Sequence, residues 1–199
     1  MILLVGNWKT APEKASEASS LARTALALSK KYKKQIEVVV CPSFIHLSPV
    51  IKISKALKVG AQTTAPSFDL AQTGLCSVGQ LRSLGVSYVI VGHSESRARG
   101  ESNDVIAEIV ARVFEKKLTP ILCVGERERD AHGWYLSEVK DQIETALLGI
   151  SKASLKQLVI AYEPVWAIGT GKAASPEQAI LSHQTIRQFL QQEWSPAIA

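Results

Sequence analysis

Leu158-Val159-Ile160-Ala161-Tyr162-Glu163-Pro164-Val165-Trp166-Ala167-Ile168-Gly169-Thr170-Gly171-Lys172 opens as a short apolar run and turns at once into a carboxylate followed by proline. A continuous run of this kind reads as a parallel strand covered on both faces rather than a half-exposed one. Shortly afterwards Ser175-Pro176-Glu177-Gln178 starts a helix. Serine can cap, proline fits the first helical position, and Gln178 can return a capping-box bond. The spacing gives that helix a face of Ala179, His183, Ile186 and Leu190.

The same unit recurs upstream. Strands are expected at Ile2–Val5, Ile36–Cys41, Leu57–Ala61, Tyr88–Val91, Pro120–Val124 and Leu158–Tyr162. Helical faces are expected at Ala18, Leu21, Ala25 and Leu28; at Ile106, Ile109, Val110 and Val113; and at Leu136, Val139, Ile143 and Leu147. Six βα units without a linker imply a single α/β domain over residues 1–199. Periodicity leaves a doubly wound sheet and a (β/α) barrel both open.

Composition narrows the class. The 199 residues are 46% hydrophobic and 21% charged, without low-complexity tracts, which excludes disorder. No run approaches the ~18 apolar residues of a membrane span, and Ile2–Val5 lacks the basic leader of a signal peptide. Cys41, Cys76 and Cys123 have no metal-ligand spacing, so reduced, buried thiols and a cytoplasmic setting without metal are expected. Lys and Arg outnumber Asp and Glu by 23 to 18, a modest excess that suits anionic small molecules. The run Lys30-Lys31-Tyr32-Lys33-Lys34 reads as a solvated helix end, so neither nucleic acid nor membrane is an expected partner.

Chemistry collects at the strand ends. The first strand is followed by Gly6-Asn7-Trp8-Lys9, the fourth by Gly92-His93-Ser94-Glu95-Ser96-Arg97, the fifth by Gly125-Glu126, and the sixth by Glu163-Pro164. Barrel enzymes carry their reactive groups at such positions. In order and separation, Gly-Asn-Trp-Lys, Val-Gly-His-Ser-Glu and the twelve residues 161–172 resemble the signatures of the triosephosphate isomerases. The resemblance runs from residue 2 to about 194 and implies a TIM-type (β/α) barrel.

It also implies a reaction: interconversion of dihydroxyacetone phosphate and glyceraldehyde 3-phosphate through an enediolate, without a cofactor, in glycolysis and gluconeogenesis. By resemblance Glu163 is the base, His93 the electrophile and Lys9 the cation facing the substrate. Asn7 is a substrate-contacting amide, Glu95 an acidic group close to Lys9, and Gly169 the lid position whose amide meets the phosphate. Pro164-Val165-Trp166 and Lys172-Ala173-Ala174 match the hinges of the lid. Glu126 and Arg97 match structural ion-pair positions.

Two departures accompany the match. The family's subunit-docking loop corresponds to Leu70-Ala71-Gln72-Thr73-Gly74-Leu75, where Leu75 replaces an acidic residue, and Ser96 stands where arginine is common. Units seven and eight, with the seventh-strand serine and eighth-strand glycine pair of the phosphate site, have no counterparts in the sequence. From this follow three expectations: weak activity, a homo-oligomer joined at or near the apolar edges Ile2–Val5 and Leu158–Tyr162, and, as the alternative function, a catalytically impaired relative with a structural or assembly role.

Overall fold

Val38, Val39, Val40 and Cys41 are all buried, as a strand flanked by helices requires, and they sit at the centre of the first of two compact units. This computed structural model describes residues 1–66, 71–130, 133–171 and 173–198. The first unit holds residues 1–90 and 112–119, the second 91–111 and 120–199.

In chain order the elements are β1 (Ile2–Asn7), α1 (Ala15–Lys31), β2 (Ile36–Cys41), α2 (Phe44–Ile51), β3 (Lys58–Ala61), α3 (Val78–Leu84), β4 (Tyr88–Val91), α4 (Ser94–Ala98), α5 (Asn103–Glu115), β5 (Thr119–Val124), α6 (Tyr135–Leu147), α7 (Lys152–Leu155), β6 (Val159–Tyr162) and α8 (Pro176–Glu193). A 3-10 turn, Val165–Ala167, follows β6. In the first unit β1 pairs in parallel with β2, β2 with β3 and β3 with β4. In the second, β5 pairs in parallel with β6 from Ile121↔Val159 to Val124↔Tyr162. Parallel strands alternating with helices are the element pattern of a TIM-type (β/α) chain.

The expected strands all form, with ends shifted by a residue or two. Two of the expected helical faces are rotated. In α1 it is Ala18 and Ala22 that are buried, whereas Leu21 and Leu28 are exposed. Two alanines four apart let the helix backbone approach β2 and α2, and the longer leucines are turned away. In α8 the buried residues are Ser182, Ile186, Phe189 and Leu190, so His183 lies outside the face. The face of α5 is as expected, with Ile106, Ile109, Val110 and Val113 buried, and that of α6 nearly so, with Val139, Ile143 and Leu147 buried but Leu136 half-buried. The α8 capping box forms between Ser175 and Gln178. Helix α2 was not foreseen, because Pro49 inside it reads as a breaker.

β1 departs from the expectation of strands covered on both faces: Ile2 and Leu4 are 69% and 52% exposed. The three thiols are free, with Cys41 and Cys123 buried and Cys76 half-buried. Burial pushes the Cys41 thiol up to about 12, so it stays protonated and inert near neutral pH. Leu122, fully buried on β5, anchors the second unit. Leu122→Ala should lower the unfolding free energy by about 2–5 kcal/mol in a urea titration. A loss below about 1 kcal/mol would place that side chain outside the packed core.

Candidate active site

Two carboxylates and an imidazole meet where β4 and β6 end. Gly92, at φ 69°, turns the chain out of β4, and His93 becomes the N-cap of α4. The His93 Nδ1 accepts the Glu95 backbone N–H at 3.2 Å. An accepting nitrogen carries no hydrogen, so this pattern assigns the ring proton to Nε2. Nε2 lies 3.4 Å from Oε2 of Glu163. Glu163 is held in turn by Ser94, whose backbone N–H donates to Oε1 at 2.7 Å and whose hydroxyl donates to Oε2 at 3.2 Å. Side chains of His93 and Glu163 are 16% and 17% exposed, dry enough for strong electrostatics yet open to a small molecule. Glu95 stands beside them with a carboxylate oxygen 3.7 Å from His93 Nδ1.

Behind this group lies a buried carboxylate. Glu126 is fully buried, and its Oε1 accepts from the Tyr162 hydroxyl at 2.8 Å, the Trp166 indole N–H at 2.8 Å and Arg129 Nε at 3.2 Å. Arg129 also donates to the Ser182 hydroxyl on α8 at 2.8 Å. Burial raises the Tyr162 phenol above its usual range, so it stays a donor. Glu126 is therefore the structural ion-pair residue that the sequence suggested. Arg97 takes another role: its guanidinium donates to the Gly92 and Cys123 carbonyls at 2.8 and 3.2 Å and to Asn103 at 2.6 Å. Its charge ties together the backbones at two strand ends. Ser96 is buried and accepts from Arg99 at 3.0 Å.

Lys9 and Asn7 belong to the first unit. Asn7 ends β1, and its side-chain oxygen accepts the Lys9 backbone N–H at 2.9 Å. Lys9 is exposed and has φ 53°, a left-handed conformation that costs a non-glycine residue of the order of 1–3 kcal/mol. Gln62 helps to hold it there, donating to the Lys9 and Cys41 carbonyls at 2.7 and 2.9 Å. Gln62 and Ser94 escaped the sequence reading. Ser94 stood within a quoted motif, whereas Gln62 has no local signal, since its partners lie 53 and 21 residues away.

Gly169, at φ 72°, is exposed beyond the 3-10 turn, and a side chain there would meet nothing within 4 Å. In the second hinge, Lys172 lies outside the described residues, as does Leu70 of the docking loop. Leu75 is 45% exposed. Among the described residues no group of His, Cys, Asp and Glu could hold a metal.

Fold and site together define a (β/α)-barrel chain with a carboxylate–imidazole pair at its strand ends. The family model described as triosephosphate isomerase matches residues 2–199. Curated relatives named triosephosphate isomerase agree: one from Fusobacterium nucleatum is 37% identical over all of this chain and 80% of its own length. Others from Magnetococcus marinus and Cytophaga hutchinsonii are 40% and 39% identical over 99% of this chain and 79% and 80% of theirs. This chain belongs to the triosephosphate isomerase family.

Glu126→Ala should destabilise the protein by about 3–5 kcal/mol, because Arg129, Tyr162 and Trp166 would lose a shared acceptor. A denaturation midpoint near that of the unsubstituted protein would show that the network contributes little.

Proposed function

We propose that this chain interconverts dihydroxyacetone phosphate and glyceraldehyde 3-phosphate, with Glu163 as base and His93 as proton donor. The observation that carries the reading is the His93–Glu163 pair, with Nε2 aimed at the carboxylate and Nδ1 occupied by a backbone N–H. Isomerisation needs a base that removes a proton from the carbon next to a carbonyl and returns it to the neighbouring carbon. One carboxylate can do both, since the two carbons are bonded to each other. Nε2–H would donate to the carbonyl oxygen as negative charge builds there. To reach the carbon, Glu163 must exchange its Ser94 bonds for the substrate, so Ser94 holds the resting base near its working position. Glu95 supports the orientation of the imidazole through its backbone N–H, which Nδ1 accepts.

Lys9 would supply the fixed cation for the substrate dianion and Asn7 a polar contact. Strain at Lys9 supports a placed rather than a free charge. Gly169 would offer its amide to the phosphate on lid closure. No feature of the described residues favours the impaired alternative. We further assign the chain to the cytoplasm, as one barrel-type domain. The exposed Ile2 and Leu4 on β1 support association with a second copy, which light scattering at low micromolar concentration would detect.

In an assay coupled to oxidation or reduction of a nicotinamide reporter, Glu163→Gln should lower kcat about 10²–10⁴-fold while circular dichroism stays unchanged. An unaltered rate would remove Glu163 from the mechanism.

A further inference from the structure

We infer that Gln142, on α6, is a positioning residue for the base Glu163 and acts through the peptide of Gly125. The inference rests on the reading of Glu163 as the base. Beyond the formal end of β5 and β6 the backbones stay paired: the Glu163 N–H donates to the Val124 carbonyl at 2.8 Å and the Val165 N–H to the Glu126 carbonyl at 3.0 Å. Gly125 sits between those two acceptors. A Cβ built on it would fall 1.8 Å from the Glu163 carbonyl oxygen, so the peptide of the base lies directly against the Gly125 α-carbon. Only glycine permits this approach.

The N–H and C=O of Gly125 are buried and point away from that pairing. Unpartnered, each would carry the desolvation cost of an orphaned peptide group. Gln142 satisfies both, accepting the Gly125 N–H at 2.9 Å and donating to the Gly125 carbonyl at 3.0 Å. Its side chain reaches from a helix to act as a missing strand would, and it is only 5% exposed. A carboxamide is suited to this because it presents one donor and one acceptor in a single plane. The chain of contacts runs from Gln142 to Gly125, then to the Glu163 peptide, and ends at a carboxylate 3.4 Å from His93. A slip of the Gly125 peptide therefore displaces the base, and an error of about 1 Å in a reacting group can cost 10²-fold in rate.

The test uses the whole protein, with rates divided by the folded fraction from circular dichroism and followed across pH 5.5–9. Gln142→Leu should lower kcat about 10- to 100-fold with KM held within about twofold. Gln142→Glu supplies the distinguishing readout. Ionised, its carboxylate still accepts the Gly125 N–H but has no proton for the Gly125 carbonyl; protonated, it replaces the amide. The kcat of Gln142→Glu relative to the unsubstituted enzyme should therefore rise as pH falls. A purely structural role would change the folded fraction and leave that ratio flat. The inference is overturned by ordinary kcat per folded molecule in both variants, by a loss confined to KM, or by a flat ratio. If Gln142→Leu does not fold, the Gln142→Glu profile decides. If neither folds, Gln142 is a folding determinant and the inference fails. Glu163→Gln assayed beside them separates the two readings: a normal rate there sinks the base assignment, whereas a lost rate with neutral Gln142 variants sinks only this inference.

Discussion

One buried carboxylate, Glu126, ties together the strand-end segments of the second unit. Glu126 stands just past β5, after Gly125, yet its three donors come from the end of β6, the turn beyond it and the segment leading to α6. A charge without exposure is costly unless it is paired and hydrogen-bonded. Tyr162, Trp166 and Arg129 converge on its Oε1, while Oε2 is buried without a hydrogen-bond partner, and Arg129 extends the grip to Ser182 on α8. The residues flanking Glu163 are therefore held from behind by the contacts of Glu126.

In front of that scaffold the backbone does most of the positioning. Gly92 turns the chain so that His93 caps α4, and the first free N–H groups of that turn are then shared between His93 Nδ1 and the Glu163 carboxylate. Hydrogen bonds that the helix start leaves unmet thus set the tautomer of His93 and the place of the Glu163 carboxylate together. Arg97 and Gln142 complete the arrangement by satisfying carbonyls past the strand ends, where no further ladder reaches them. On the other unit Lys9 has the equivalent support from Asn7 and Gln62.

What the sequence determined by itself was the order of units and the identity of the chemical groups. Strand cores such as Ile36–Cys41 and helix faces such as Ile106–Val113 are local patterns, and local patterns survive folding when a face is wholly buried. His93, Glu163 and Lys9 could be singled out from sequence because each stands in a contiguous motif at a strand end. Tertiary structure alone decided which stripe of α1 and α8 faces inward, because several apolar stripes compete and the small size of Ala18 and Ala22 chooses between them only in contact with β2. It also decided the roles of Ser94, Gln62, Gln142 and Arg97. Their partners lie up to 69 residues away, and hydrogen bonds over such separations leave no periodic trace in the chain.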